Sequence, residues 1–298
     1  MVMTQTVRLS SGIEMPQVGF GVFQIVDEQQ CERAVTQALH AGYLSIDTAT
    51  AYQNEVAVGR AIKNSGIRRE SLFVTSKLWV ADASYERAKA GIQASLQHLG
   101  LDYLDLYLLH QPYGDVVGAW RALEEANQAG LIRAIGVSNF SADQLKNLEL
   151  TTTIKPVVNQ IEVNPWYQQQ EAIEEAIDFA QSEGIQVETW APFAEGKQAI
   201  FENSVLVAIG QRYGKTASQV ILRWLLQRDI VVISKTIHVE RMVANLNVCD
   251  FELTDEDMQR ITQLDQHRSQ FFDHHDPLTI DQIFGTSIQK SRMPSGLD

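Results

Sequence analysis

Four residues in the first 110 could together move a proton: Asp47, Tyr52, Lys77 and His110. A phenol with a pKa of about 10 is a poor acid at neutral pH. A lysine ammonium beside the phenol oxygen favours the phenolate and is expected to lower that pKa. An aspartate carboxylate would hold the lysine charged and in place. Tyr52 could then act as general acid toward a developing alkoxide, with His110 hydrogen-bonding and polarising the same oxygen. The set holds no serine or cysteine nucleophile and no metal-ligand spacing. His274 and His275 are adjacent in a polar tail and read as a solvated loop. Such a group suits reduction of a C=O by an external hydride, which a cofactor has to bring.

Taken one at a time, each residue has a plainer explanation. An Asp-Thr pair after a strand is usually a turn or helix cap, and a lone strand-end lysine usually snorkels to solvent. What joins them is placement. Short apolar runs recur at Gln17–Gly21, Leu44–Asp47, Leu72–Lys77, Tyr103–His110, Ile132–Ser138, Val157–Ile161, Ile185–Trp190 and Ile230–Ser234. These runs are continuous in Val, Ile and Leu, as buried parallel strands are. Amphipathic helical stripes lie between them, at Val35/Ala38/Leu39/Gly42, Ala88/Ile92/Ser95/Leu96/Leu99 and Ile173/Ala176/Ile177/Ala180. Ser141 with Gln144, and Thr216 with Gln219, have capping-box spacing; Gly42, Gly100, Gly130 and Gly184 sit where helix C-caps are expected.

Eight strands alternating with helices predict an α/β fold of the (β/α)8 TIM-barrel type, in which catalytic groups gather at the C-terminal ends of the strands. The rival, a doubly wound open sheet, should show G-x-G-x-x-G after its first strand. Gly19-Phe20-Gly21 has no third glycine in register and opens no helix. Val7–Met15, centred on Ser10-Ser11-Gly12, predicts an N-terminal β-hairpin that would plug the barrel bottom. From His267 onward the chain reads as a long tail loop without clear periodicity. No Pro/Gly/Ser-rich linker divides the sequence, so residues 1–298 are expected to form one domain, with 267–298 as its tail.

The formal charge of -13 disfavours binding to nucleic acid and to anionic membrane surfaces. No apolar stretch approaches the roughly 20 residues that span a bilayer, and Met1–Gly12 reads as no signal peptide. The two cysteines, Cys31 and Cys249, are expected to be free thiols in a reducing, cytoplasmic setting.

Longer motifs resemble those of the aldo-keto reductases. They are Asp47-Thr48-Ala49 with Tyr52, Asn54-Glu55 and Val58-Gly59, then Ser76-Lys77-Leu78-Trp79. LDYLDLYLLHQP follows at Leu101–Pro112, IRAIGVSNF at Ile132–Phe140 and VNQIEVNP at Val158–Pro165. The likeness covers nearly the whole chain. It is strongest to the branch of bacterial 2,5-diketogluconate reductases and prostaglandin F synthases, which FFDHHDP at Phe271–Pro277 also resembles.

The resemblance implies a catalytic tetrad of Asp47, Tyr52, Lys77 and His110, with Tyr52 the proton donor. It implies that Ser138, Asn139 and Gln160 hold the carboxamide of a nicotinamide and that Trp190 stacks beneath the ring. Val22 and Phe193 are further expected cofactor contacts. At the phosphate end it implies Lys235, Thr236, Ile237, Arg241 and Asn245. Ser234 and Ala244 stand where the family has proline and glutamate. A paired lysine and arginine supply the charge a 2′-phosphate needs, so NADPH/NADP+ is the expected cofactor. Phe23, Trp79, His110, Phe271 and Phe272 are expected to wall a pocket for a small carbonyl compound. No metal is expected, and the assembly is expected to be a monomer or weak homodimer. Two other uses of this family's fold, as potassium-channel β subunits and as lens crystallins, need no turnover; the complete tetrad favours an enzyme.

Overall fold

The computed structural model describes residues 5–168 and 180–291. An antiparallel hairpin comes first, β1 (Thr6–Arg8) and β2 (Glu14–Pro16), turning through Gly12 at φ 84°. Eight parallel strands then close into a barrel: β3 (Val18–Gly21), β4 (Ser45–Asp47), β5 (Phe73–Leu78), β6 (Leu104–Leu109), β7 (Ile132–Ser138), β8 (Val158–Glu162), β9 (Gln186–Trp190) and β10 (Val231–Ser234). The barrel seals where β10 pairs with β3, setting Ile233 against Gly19.

Around it run α1 (Glu28–Ala41), α2 (Glu55–Asn64), α3 (Tyr85–Leu99), α4 (Val116–Gln128), α5 (Ala142–Thr151), α6 (Ser204–Tyr213), α7 (Ala217–Leu226), α8 (Val239–Leu246) and α9 (Asp255–Thr262). Their boundaries follow the local chemistry. Both expected capping boxes form, Ser141 with Gln144 on α5 and Thr216 with Gln219 on α7. Gly42 and Gly100 end α1 and α3 in the left-handed conformation that glycine alone adopts without strain. The stripes on α1 and α3 face inward, burying Val35, Ala38 and Leu39, and Ala88, Ile92, Ser95, Leu96 and Leu99. Of the third expected stripe, Ile173, Ala176 and Ile177 lie outside the described residues, whereas Ala180 is buried. Within α2, a Cβ at Gly59 would stand 2.3 Å from the Leu99 carbonyl oxygen, so only glycine allows α2 to lie against the end of α3.

The hairpin seals one mouth of the barrel. Leu9 and Met15 are buried in a cluster with Phe73, Val157 and Val231, which stand at or just before the N-terminal starts of their strands. The opposite mouth carries the tail, where the structure departs from expectation. Instead of an aperiodic loop, Pro277–Ser291 forms a helix, α10. Asp276 caps it, accepting from the backbone N–H of Leu278 at 3.1 Å and of Thr279 at 3.3 Å, and Pro277 occupies the first turn, where its missing N–H costs nothing. Its Phe284 is 1% exposed. Among the described residues no helix is long and apolar enough to cross a membrane.

Candidate active site

The C-terminal ends of β4, β5 and β6 bring the proposed proton-handling residues together. Lys77, on β5 and 0% exposed, points its ammonium at Asp47 at the end of β4, with Nζ to Oδ1 at 2.6 Å. It also donates to the carbonyl oxygen of Thr48 at 2.9 Å and to the Tyr52 hydroxyl at 3.4 Å. Tyr52 lies in the short turn after β4, and its ring meets the His110 ring edge-on with centroids 5.7 Å apart. His110 follows β6 directly.

Supporting residues fix this turn. Thr50 Oγ1 donates to the Lys77 carbonyl oxygen at 3.0 Å and accepts from the Trp79 N–H at 3.2 Å. Buried Asn54 takes a hydrogen bond from Thr48 Oγ1 at 2.8 Å and donates to the Val22 carbonyl oxygen at 3.0 Å. The loops after β3 and β4 are thereby tied together, and the next residue, Glu55, accepts from Ser76 Oγ at 2.6 Å beside Lys77.

The electrostatics amend one expectation. Burial pushes the Tyr52 phenol up, and the neighbouring Lys77 ammonium only partly offsets this, so the net direction is upward rather than downward. A phenol removed from water loses more than one adjacent cation restores, because the same Asp47 that anchors Lys77 also opposes a phenolate. Burial alone would lower the Lys77 pKa, yet Asp47 and Tyr52 outweigh it and hold the ammonium charged. Burial, then Lys77, drive the His110 imidazole well below its usual value. At neutral pH it is a neutral ring, able to donate a hydrogen bond but carrying no imidazolium proton.

Farther round the barrel, Ser138 ends β7, Asn139 follows it and Gln160 lies on β8. Asn139 adopts φ 64°, a left-handed conformation that asparagine tolerates. Its amide donates to the His110 carbonyl oxygen at 3.1 Å and to Ser138 Oγ at 3.0 Å, while its oxygen accepts from Trp190 Nε1 at 2.9 Å. Gln160 Nε2 donates to Asp47 Oδ2 at 3.0 Å and to Glu188 Oε2 at 2.5 Å. A continuous polar chain therefore runs from Tyr52 through Lys77, Asp47 and Gln160 to Glu188, joining β4 and β5 to β8 and β9.

Lys235 and Arg241, after β10 and on α8, are both exposed, and among the described residues neither meets an acidic partner. Thr236 is buried between them in sequence, Ile237 is exposed, and Asn245 reaches Ser234 Oγ at 3.4 Å. Phe193 caps the turn after β9 and packs on Phe201. Val22 is buried just past β3.

The aromatic wall is divided in two. Phe23 lies 5.0 Å from Tyr52 and Trp79 5.1 Å from His110, measured between ring centroids. Phe284 of α10 closes on Trp79, Tyr113 and Phe272, and Trp79 Nε1 donates to Ser287 Oγ of the same helix. Phe271 stands apart, against Trp190 and under the Lys197 ammonium. Sequence reasoning missed Glu188, Phe284 and Tyr113. For Phe284 a signal existed in Asp276-Pro277, a cap followed by a first-turn proline; for Glu188, inside an apolar run, there was none.

A buried lysine–aspartate pair under a tyrosine and a neutral histidine, at the C-terminal mouth of an eight-stranded barrel, defines a class of barrel oxidoreductase, and the chain belongs to it: the Aldo/keto reductase family matches residues 17–266. It is an oxidoreductase acting on carbonyl groups. Among curated relatives, it is 45% identical to the glyoxal reductase of Bacillus subtilis over 88% of this chain and 93% of that protein. It is 40% identical to the methylglyoxal reductase DkgA of Escherichia coli over 87% and 93%. Among solved structures, the Bombyx mori aldo-keto reductase AKR2E4 in complex with NADP is similar with a TM-score of 0.85 and 34% identity, covering 92% of this chain and 96% of that one.

Proposed function

We propose that this protein reduces the carbonyl of a small aldehyde or ketone with NADPH, and that Tyr52 donates the proton. The observation that carries this reading is the Tyr52–Lys77–Asp47 chain, with contacts of 3.4 and 2.6 Å, facing the neutral His110. When bound, NADPH supplies the hydride to the carbonyl carbon. The substrate oxygen would lie between Tyr52 Oη and the His110 ring. His110, neutral, donates a hydrogen bond and polarises the C=O. As charge builds on that oxygen, the Tyr52 O–H bond breaks toward it, because an alkoxide is a stronger base than a phenolate. The phenolate left behind is stabilised by the Lys77 ammonium, which Asp47 keeps charged. The raised phenol pKa fits this role, since Tyr52 reaches the reaction as the protonated acid.

The residues present fit the cofactor. Lys235 and Arg241 are exposed cations that meet no acidic partner among the described residues, which is what a 2′-phosphate requires. Ile237 is 43% exposed and offers apolar surface beside them. Ser138, Asn139 and Gln160 would hold the carboxamide, with Trp190 beneath the ring. Val22, Phe193, Thr236 and Asn245 complete the cleft. Phe23, Trp79, Phe272 and Phe284 would wall the substrate space, and the names of the two bacterial relatives point to small dicarbonyl aldehydes such as glyoxal and methylglyoxal. We further read residues 1–298 as one catalytic domain, working in the cytoplasm as a monomer or weak homodimer; Cys31 and Cys249 are unpaired.

The test is NADPH consumption with glyoxal, methylglyoxal and a simple aromatic aldehyde. Turnover of at least one, lost in Tyr52→Phe, is expected; absence of turnover with all three removes this reading.

A further inference from the structure

Glu188 takes no part in the mechanism above, yet it sits in the wall of the barrel with its side chain 0% exposed. It faces Gln160 as its direct register partner on the neighbouring strand, β9 against β8. A primary amide has two N–H bonds on one nitrogen and one accepting oxygen. Gln160 gives one N–H to Asp47 Oδ2 and the other to Glu188 Oε2. Both donors are thus engaged on the side of the two acids. Rotating the amide by 180° would set its oxygen against two acceptors, Asp47 among them, which already serves Lys77. The present orientation leaves Gln160 Oε1 accepting from no protein group among the described residues. It is the atom free to meet a ligand.

We propose that Glu188 is a positioning residue: by taking the second amide proton of Gln160, it fixes Gln160 Oε1 as the acceptor offered to the carboxamide N–H of the bound nicotinamide. The inference rests on the reading of Gln160 as a cofactor contact given under Proposed function.

The charge state agrees with the geometry. Burial, then the nearby Asp47, raise the Glu188 carboxyl to about 8. At neutral pH it is a neutral acid, so it accepts from Gln160 without adding a second negative charge beside Asp47. A carboxyl group with no polar task at this depth would be poorly suited to the barrel interior, where an apolar side chain of the same volume carries no desolvation cost. A glutamine at 188 has nearly the same shape and also presents one acceptor and donors, so it can stand in for the neutral acid.

The NADPH dissociation constant, read from quenching of protein fluorescence, tests the proposal across four variants: Glu188→Leu, Glu188→Gln, Gln160→Leu and the double leucine variant. Loss of one orienting hydrogen bond corresponds to about a threefold to tenfold rise in Kd for Glu188→Leu. Glu188→Gln should stay within about twofold of the parent. In the Gln160→Leu background, Glu188→Leu should add nothing, because residues acting through one another are not additive. Additive effects would show that Glu188 supports the barrel without acting through Gln160, and would overturn the proposal. If Gln160→Leu weakens binding while Glu188→Leu does not, the proposal falls and the cofactor reading stands. If Gln160→Leu itself leaves Kd unchanged, the reading of Gln160 falls and takes the proposal with it. Circular dichroism establishes that each variant is folded; should the leucine at 188 prevent folding, Glu188→Met, unbranched and more adaptable, carries the same comparison.

Discussion

Lys77 spends its three N–H bonds on Asp47, Thr48 and Tyr52, so the chemistry at single residues can be tested through the groups it touches. Tyr52→Phe keeps the ring against Phe23 and His110 and removes only the acid. A fall in kcat of at least about a hundredfold is expected, with NADPH affinity unchanged; retention of more than a tenth of the parent rate would exclude Tyr52 as donor. His110, held well below its usual range by burial and Lys77, stays neutral across pH 6.5. The kcat/KM for carbonyl reduction should therefore show no inflection there, and an inflection that disappears in His110→Gln would contradict the neutral ring. Glu188 makes a prediction about stability. Its folded pKa is raised to about 8 from 4.5, so as pH climbs between those values the unfolded chain releases a proton that the folded chain retains. Stability is lost across that window and levels off above it. Glu188→Gln should thus gain on the parent in urea unfolding as pH rises from 4.5 to 8, whereas a constant difference would mean that Glu188 does not titrate between the two states. That Asp47, Tyr52, Lys77 and His110 would meet at one mouth was legible because each closes an apolar run or lies just beyond one. The upward shift of Tyr52 was not, since desolvation depends on what covers a residue and Lys77 alone argued the other way.

At the scale of elements, strand identities could be read closely from the sequence while their ends could not. The run expected at Ile132–Ser138 matches β7 in full, but the run expected to end at Lys77 continues to Leu78, and that expected to end at Ile161 continues to Glu162. Apolar content marks what is buried; pairing extends as far as a neighbour offers partners. Helix α10 escaped notice because, among its described side chains, only Phe284 is fully buried, and Thr279, Gly285, Thr286 and Ser287 dilute its stripe. The helix has a function to test. Phe284→Ala removes the ring packed on Trp79, Tyr113 and Phe272, and should lower KM for bulkier aromatic aldehydes relative to methylglyoxal while leaving NADPH affinity intact; unchanged relative KM values would mean that α10 does not bound the substrate space. Helix α8 carries the complementary test. Arg241→Ala should weaken NADPH by about tenfold or more, the range of a charge-assisted contact, and leave NADH nearly untouched.

Across the whole molecule, the two mouths of the barrel divide stability from function, as barrels of this kind do. Met15 is 0% exposed in the floor beneath the strands. Met15→Ala should cost about 2–5 kcal/mol and lower the melting temperature by several degrees, with kcat essentially unchanged; a large loss of activity in a folded variant would show the floor coupled to the site. Barrel architecture itself was legible from alternation alone, because eight buried strands in one undivided chain leave few ways to close. The crossing of distant residues was not: nothing in the sequence announces that Gln160 touches Asp47, 113 residues away. The closed floor also has a consequence for traffic. With Leu9 and Met15 sealing one end, a proton given up by Tyr52 in the proposed mechanism would be restored from the mouth that also admits substrate and releases product. On the mechanism proposed here, product under Phe284 stands in the path of solvent, so recharging of the acid waits for departure of the alcohol, and each turnover empties the vessel before it is primed again.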